Sequence, residues 1–205
     1  MLSEIFKLFW KTVERKDERR INSQTPPTEI EQFCDIQYID DGLWQHRLDV
    51  YSKSGKLSHR PVIIDIHGGG WMYGTKEINK NYCLVLAQND YVVVNINYRL
   101  APDFSVADQL RDCFFAFKWV STNIEKYGGD LNNVFVTGDS AGGFLAAYSA
   151  LLNSSEKLRK IFGVTESGLE FRACGLTSPV CFMNTHTFQD VYYSRVKGKE
   201  FSEST

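Results

Sequence analysis

Apolar and polar residues follow two different rhythms along this chain, and each rhythm predicts a different kind of element. Near the N-terminus the apolar residues recur at steps of three and one, as on one stripe of a helix: Leu2, Ile5, Phe6, Phe9, Trp10 and Val13. The opposite face mixes acidic and basic residues, whereas a membrane-surface helix favours a cationic face. We therefore expect this helix to pack on the protein itself, either completing the core or forming a lid over a pocket.

The rest of the chain predicts a sheet. Residues 36–39 and 45–51 alternate in polarity around Asp41-Gly42, which is typical of a hairpin at the edge of a sheet. Mostly apolar runs then predict buried strands at 62–66, 91–97, 134–136 and 171–176. Strand and helix alternate three times between residues 61 and 153, which implies right-handed crossovers and a mostly parallel sheet.

Three helices are predicted between these strands. The first has Thr75 as its N-cap, followed by apolar residues at helical spacing: Ile78, Tyr82, Val85 and Leu86. The second is closed by Gly128-Gly129, and its expected buried side carries Val106, Leu110, Cys113, Phe114, Phe117, Val120 and Ile124. The third starts at Ala141 and is rich in alanine and leucine.

A single serine stands between the strand at 134–136 and its helix. The stretch Gly138-Asp139-Ser140-Ala141-Gly142 fits a nucleophile elbow, in which a serine occupies a strained strand-to-helix turn. A serine with positive φ needs neighbours without bulky side chains, and this stretch supplies them. The helix would direct its unpaired N–H groups at Ser140, where negative charge develops in acyl transfer. A plain glycine turn fits the same five residues.

A run of three glycines, Gly68 to Gly70, follows the strand at 62–66 and lies between His67 and Trp71. Such a run is tolerable where the backbone must approach a phosphate or an oxyanion closely. A phosphate loop would need a Gly-Lys-Ser/Thr ending or a spaced glycine fingerprint, and neither is present. An oxyanion loop needs only N–H groups aimed at one point. We expect His67 to be a structural residue that shapes this loop.

Composition narrows the classes of function. The 205 residues carry a formal net charge of -2 and no basic cluster, which argues against a nucleic-acid partner. No apolar run reaches membrane-spanning length, and the N-terminus lacks a signal-peptide pattern. The five cysteines are scattered, and we expect them to be reduced core residues of a cytoplasmic protein. The four histidines lie too far apart for a local metal motif, so no metal is expected. We expect no other cofactor either.

Three motifs, taken together and in order, resemble the hormone-sensitive-lipase-like branch of the α/β-hydrolase fold: His-Gly-Gly-Gly-Trp at 67–71, Tyr-Arg-Leu-Ala-Pro at 98–102 and Gly-Asp-Ser-Ala-Gly-Gly at 138–143. That branch includes many microbial carboxylesterases. The resemblance implies a mostly parallel, doubly wound sheet with antiparallel N-terminal edge strands and a helical cap. By this division, residues 1–25 are an N-terminal cap helix, 26–180 a partial α/β-hydrolase core, and 181–205 the start of a cap or connecting segment.

The resemblance also implies a chemistry and a set of site residues. Ser140 is the expected nucleophile, and the N–H groups of Gly69, Gly70 and Ala141 are the expected oxyanion hole. The expected substrate is a small or short-chain acyl ester, hydrolysed through an acyl-enzyme without a cofactor or metal. The same site could serve an amidase, a deacetylase of esterified sugars or a peptidase.

The family's remaining triad members come from loops after two strands beyond the one ending near Pro179. The only histidine after Ser140 is His186, which we expect to be an exposed cap residue. The possible acids between them are Glu156, Glu166 and Glu170. We therefore expect the 205 residues to be truncated at the C-terminus, and such a chain could be inactive. The alternative is a non-catalytic α/β-hydrolase-like protein that binds a small ligand.

Overall fold

The computed structural model describes residues 2–55 and 59–181, with side chains from residue 8 onward. Its frame is a six-stranded sheet with the order β1-β2-β4-β3-β5-β6. The strands are β1 (Ile30–Gln37), β2 (Arg47–Lys53), β3 (Arg60–Ile66), β4 (Val92–Ile96), β5 (Gly129–Asp139) and β6 (Phe171–Thr177). The pairs β1·β2 and β2·β4 are antiparallel, and all other pairs are parallel. The predicted mostly parallel sheet with an antiparallel N-terminal edge is confirmed.

Helices connect the parallel strands and cover both faces of the sheet. They are α1 (Leu2–Asn22), α2 (Lys80–Gln88), α3 (Val106–Asn123), α4 (Ser140–Ser154) and α5 (Glu156–Phe162). Short 3-10 turns precede α2 at Lys76–Asn79 and follow α3 at Ile124–Tyr127. Among the described residues, no helix combines the length and the apolar character needed to cross a membrane.

The core lies around the two central strands and α3. All five residues of β4 are buried, because helices pack on both sides of the sheet at this point. The buried face predicted for α3 is confirmed in full, from Val106 to Ile124. Ser105 begins this helix with a capping box formed with Asp108, and Gly128 ends the following turn with φ +84°.

The first predicted helix differs from the structure in its buried face. Thr75 does act as an N-cap, but of the 3-10 turn, and α2 begins only at Lys80. α2 buries Cys83, Leu84 and Ala87, whereas Tyr82 and Val85, two of the apolar residues in the predicted pattern, are about half exposed.

The cysteines differ in burial, which corrects the expectation that all five are core residues. Cys83 and Cys113 are buried as expected, Cys174 is intermediate, and Cys34 and Cys181 are exposed. Cys34 lies in β1, an edge strand whose pairing with β2 shifts register between Phe33 and Ile36. An edge strand has solvent on one side, so an apolar pattern in the sequence does not bury every residue.

Helix α1 extends beyond Val13, the last residue of the predicted apolar stripe, and ends at Asn22. Phe9 is 56% exposed, and Trp10 and Val13 are only partly buried. The Trp10 ring stacks on the Tyr73 ring with 5.4 Å between centroids. Of its described side chains none belongs to the buried core, so α1 does not complete the core there. The predicted segment 181–205 lies outside the described residues except for Cys181, and His186 lies outside them too.

Candidate active site

The turn between β5 and α4 has the geometry of a nucleophile elbow. Ser140 has φ +49°, in the left-handed region that L-residues other than glycine seldom adopt. The neighbouring glycines are required by close backbone contacts. A Cβ on Gly138 would overlap the carbonyl oxygen of Gly142, and a Cβ on Gly142 would overlap that of Ile66. The sequence prediction of a strained turn at Ser140 agrees with this geometry.

Pairing between the strands brings the glycine loop to the same edge of the sheet as Ser140. The parallel pair β3·β5 places Ile66 opposite Gly138, so the residues after both strands leave the sheet side by side. Gly69 and Gly70 have φ +117° and +57°. A Cβ on Gly69 would overlap the carbonyl oxygen of Tyr73, whose own N–H donates to the Gly69 carbonyl at 3.0 Å.

Ser140 and the glycine loop line one cavity of about 380 Å³. At the sheet edge the cavity is lined by the glycine loop (Gly68 to Gly70), Asp139 and Ser140. Helix α1 contributes Trp10, Val13, Asp17 and Arg20 to the lining. Asp17 and Arg20 form an ion pair at 3.2 Å. Ala141 lies in the first turn of α4, where backbone N–H groups have no acceptor within the helix. All four predicted site residues therefore lie at this one edge of the sheet.

The near end of the glycine loop is held by the residue before the serine. Asp139 Oδ1 accepts a hydrogen bond from the Gly68 N–H at 2.9 Å. It also accepts one from Asn79 Nδ2 at 2.9 Å, and the same Nδ2 donates to Asp65 Oδ2 at 2.9 Å. The elbow and the loop are thus joined directly by a charge-assisted hydrogen bond.

His67 has the structural role expected of it. Its ring is fully buried and stacks on Tyr98 with 4.4 Å between centroids. Burial lowers the pKa of His67 to about 4, even though its hydrogen bond with the Gly68 carbonyl and the charge of Asp139 favour protonation. The ring is therefore neutral near pH 7, and Nδ1 lies 2.7 Å from the Gly68 carbonyl oxygen. That pairing fits a neutral ring whose Nδ1–H donates to the carbonyl.

The C-terminal end of the glycine loop, at Trp71, is held by the segment with the Tyr-Arg-Leu-Ala-Pro motif and by α3. The Trp71 carbonyl accepts hydrogen bonds from the Ala101 N–H at 2.8 Å and from Gln109 Nε2 at 2.9 Å. The Tyr98 hydroxyl donates to the His67 carbonyl at 2.8 Å. The Tyr-Arg-Leu-Ala-Pro motif therefore fixes the backbone of the glycine loop at both ends, a role that sequence reasoning did not assign.

Sequence reasoning also missed Asp65 and Asn79. One signal could have indicated Asp65, because it is a charged residue in the middle of an otherwise apolar buried strand. Its carboxyl is fully buried. Nothing in the sequence around Asn79 distinguishes it from an ordinary polar residue at the start of a helix.

None of the three histidines among the described residues is paired with Ser140. His46 is held between Asp41 and Asp112, and His59 is exposed. Neither of these nor His67 forms a hydrogen bond with Ser140 in the described part of the chain. Residues 2–55 and 59–181 contain no cluster of histidine, cysteine, aspartate and glutamate that could hold a metal ion.

Comparison with known proteins identifies the family. The family model BD-FAE matches residues 48–178, which is more than half of the chain and contains all three motifs. The chain belongs to the BD-FAE family. Among solved structures, esterase B from Lactobacillus rhamnosis, inhibited by a tributyrin phosphonate, superposes on this BD-FAE chain with a TM-score of 0.93 at 31% identity. The match covers 100% of this chain and 67% of that one, and the fold is that of an α/β-hydrolase.

Curated relatives of the BD-FAE chain are also named as esterases. The versiconal hemiacetal acetate esterase of Dothistroma septosporum is 36% identical over 112 residues, which are 54% of this chain and 33% of that protein. The carboxylesterase NlhH of Mycobacterium tuberculosis is 34% identical over 113 residues, 55% of this chain and 35% of that protein. The chain thus matches about a third of the length of these curated relatives.

Proposed function

We propose that this protein is a serine carboxylic-ester hydrolase that uses Ser140 as its nucleophile. One observation carries the proposal: Ser140 has a strained backbone at φ +49° and lines the same cavity as the glycine loop. A pocket that only binds a ligand has no need of a strained serine, because such strain costs of order 1–3 kcal/mol. The three similar proteins described above are named as esterases, which supports the same reaction class.

The proposed oxyanion hole consists of the N–H groups of Gly69, Gly70 and Ala141. Two of these residues are in the loop that the second motif and Asp139 hold in place, and the third is in the first turn of α4. The positive end of the α4 dipole adds to the attraction for negative charge at this point. Each such donor contributes about 10²- to 10³-fold to the rate of acyl transfer.

The reaction proceeds in two steps. Ser140 Oγ attacks the ester carbonyl while its proton passes to a general base, and the carbonyl oxygen becomes an oxyanion bound by the three N–H groups. Collapse of this intermediate releases the alcohol, which takes up the proton, and leaves the acyl group on Ser140. Water then attacks the acyl-enzyme in the same way and releases the carboxylic acid. No metal or cofactor is needed for either step.

We place the general base outside the described residues. The buried His67 is neutral and its Nδ1 is occupied by the Gly68 carbonyl, and the ring of His46 lies between two carboxylates. In the family that the sequence resembles, the acid and the histidine come from loops that follow the nucleophile. Without its base, a serine hydrolase of this kind typically keeps only a residual rate, about 10⁶-fold lower.

Residues 1–25 are proposed to act as a cap over the acyl site, with 26–180 as the hydrolase core and 181–205 as a connecting segment. The support is that α1 lines the cavity opposite Ser140 and contacts the body through the Trp10–Tyr73 stack. The volume of about 380 Å³ suits a small acyl ester as substrate.

The five cysteines are free, and the exposed thiols among them suit a reducing compartment such as the cytoplasm.

A fluorophosphonate probe together with short-chain p-nitrophenyl esters tests the function. We expect the protein to be labelled at position 140 and to release p-nitrophenol, and Ser140→Ala to abolish both. Ser149→Ala is the matched control, because Ser149 lies on the same helix α4 and is buried away from the cavity. The assay is run on the 205-residue chain and on a chain extended by any downstream coding sequence.

Two outcomes would count against the esterase. Labelling that survives Ser140→Ala would assign the reactivity to another residue. A folded, extended chain that neither reacts with the probe nor hydrolyses any ester would favour the non-catalytic binding protein. Reaction of the extended chain alone would place the missing base in the added segment and support the mechanism.

A further inference from the structure

Asn79 stands at the N-terminus of α2, but its side chain does not cap that helix. An asparagine at this position normally accepts a hydrogen bond from a backbone N–H of the first helical turn. Here the Asn79 side chain makes no such bond. Instead its amide nitrogen donates to two carboxylates from two different strand ends. The usual reason for an asparagine at a helix start is therefore absent at this position.

The two carboxylates are placed so that they need a common donor. Asp65 is in β3, fully buried, and Asp139 ends β5, the neighbouring parallel strand. When both are ionised their negative charges repel each other, and this repulsion is strong in a poorly solvated site. The two N–H groups of the Asn79 amide, one for each carboxylate, offset the repulsion. Asn79 thereby fixes the position of the Asp139 carboxylate.

Asp139 transmits this position to the glycine loop. Its Oδ1 holds the Gly68 N–H at 2.9 Å, and its Oδ2 is packed so closely against Gly68 that any Cβ there would overlap it. A shift of the Asp139 side chain would therefore move the backbone of Gly68. Gly69 and Gly70 follow directly in the chain.

From this chain of contacts we infer that Asn79 is a positioning residue, which bridges Asp65 and Asp139 and thereby fixes the glycine loop relative to Ser140. The effect of Asn79 on catalysis rests on the proposed function. The effect of Asn79 on the position of the glycine loop does not, because the hydrogen bonds exist whether or not Ser140 reacts.

The charge state of Asp65 supports the coupling. Burial, and secondarily the charge of Asp139, raise the pKa of Asp65 to about 7, although hydrogen bonds from Asn79 and Cys83 oppose the rise. Other titratable or charged groups near this pair are Tyr82 and Cys83 on α2, the buried ring of His67, and Asp17 and Arg20 of α1, which line the same cavity as Asp139. A change in the protonation of Asp65 near neutral pH should therefore alter the hydrogen bonds that Asn79 makes with Asp139 and that the Gly68 N–H makes with Asp139.

Two variants separate the donor role of Asn79 from its size. Asn79→Asp keeps the shape of the side chain but removes both N–H donors and adds a third carboxylate, whereas Asn79→Ala removes the donors and the side chain without adding a charge. Asn89→Ala is the matched control, since Asn89 lies at the other end of α2 and its side chain donates to the Val85 carbonyl within that helix segment. Hydrogen exchange of the peptide 67–72, followed by mass spectrometry, measures the loop directly and needs no activity.

We expect exchange in the peptide 67–72 to rise at least about tenfold in both Asn79 variants, with exchange in β4 unchanged. The rate of fluorophosphonate labelling at Ser140 should fall about 10- to 100-fold, because displaced oxyanion donors no longer meet the reacting oxygen. Asn89→Ala should leave both quantities at their original values. Wild-type exchange in 67–72 in the Asn79→Asp variant would overturn the inference.

Nuclear magnetic resonance on the unchanged protein tests the same coupling, even if the variants fail to fold. The Gly68 amide and the Asn79 side-chain amide should titrate together, with a common midpoint near the pKa of Asp65. Resonances that stay flat from about pH 5 to about pH 9 would contradict the coupling between Asp65 protonation and the glycine loop. Failure of the proposed esterase function would appear differently, as absent labelling in a protein whose loop exchange still depends on Asn79.

Discussion

At this site, the backbone geometry decides which residue can occupy a position more than the chemistry of the side chain does. Ser140 tolerates φ +49° because the residues around it leave room for the turn. Gly69 and Gly70 tolerate their positive φ angles because glycine has no Cβ, and hydrogen bonds to the carbonyls of the loop hold its backbone in place. His67 shows the same principle with a titratable group. The His67 ring pairs with the carbonyl oxygen of Gly68, and burial lowers the pKa of the ring.

The buried His67 predicts how stability depends on pH. Its pKa is lowered to about 4 from the usual 6.5, so below pH 6.5 the unfolded chain binds a proton that the folded chain does not. The stabilisation from this residue is fully present above pH 6.5 and is lost progressively as the pH falls to about 4. The expected loss is about 3 kcal/mol between pH 7 and pH 4.

Urea unfolding at a series of pH values, compared between the unchanged protein and His67→Asn, measures this loss. Asp65 acts in the opposite direction, because its raised pKa of about 7 gives a stabilisation that is complete below the usual 3.8 and is lost as the pH rises to 7. That contribution is common to both proteins and cancels in the comparison. His59→Asn, at an exposed position, should keep the original pH dependence. Equal acid sensitivity of all three proteins would refute the prediction.

At the scale of elements, the site depends on how closely α4 approaches β3. The first turn of α4 passes directly over the end of β3, and Gly142 is the point of contact, with the Ile66 and His67 carbonyls beneath it. A helix with any side chain at this position would have to move away from the sheet. Ser140 would then move away from the glycine loop, which follows the same strand.

Gly142→Ala tests this approach. The added Cβ would overlap a backbone carbonyl of β3, which cannot rotate away, so we expect a loss of at least about 2 kcal/mol in the free energy of unfolding. Gly42→Ala is the control, because its Cβ would meet nothing within 4 Å and only its positive φ resists alanine, at a cost of about 1–2 kcal/mol. The measurement is the chemical denaturation midpoint. A Gly142→Ala protein as stable as Gly42→Ala would show that α4 has room to shift.

At the scale of the whole molecule, one buried ion pair ties the segment after β4 to helix α3. Asp112 is fully buried and receives hydrogen bonds from Arg99, the shortest at 2.7 Å from Nη2. His46 lies 3.2 Å from the same carboxylate and 2.6 Å from Asp41. Burial disfavours a charged His46, but the two carboxylates outweigh it and raise its pKa. The cluster fixes the hairpin loop and the second motif to α3.

Asp112→Asn should lower the free energy of unfolding by about 3–5 kcal/mol, because it leaves a largely buried Arg99 without its carboxylate. The control is Glu156→Gln, which removes an exposed ion pair with Lys160 and should cost less than about 1 kcal/mol. Urea unfolding of the variants measures both. Replacing the pair together, Asp112→Leu with Arg99→Met, should recover part of the loss. Similar costs for the buried and the exposed pair would contradict this account.

The predictable parts of this fold are those that local patterns encode. The apolar runs of β3 and β4 and the buried face of α3 follow from periodicity, because burial on both faces or on one stripe leaves a direct trace in the sequence. The start of α2 differs from the prediction, since Thr75 caps a 3-10 turn and the α-helix begins only at Lys80. Exposure of Cys34 was missed because edge position is a property of strand order.

The sequence by itself determined the alternation of strand and helix, the strained turn at Ser140 and the glycine loop after β3, since each needs particular residue types at adjacent positions. Only the tertiary structure decided which distant groups hold these parts together. Asp65, Asn79 and Asp139 lie far apart in the chain and meet because parallel pairing of β3 with β5 brings two strand ends to one edge. The partners of Trp71 and His67 likewise follow from packing, which fixes hydrogen bonds between residues that no local pattern connects.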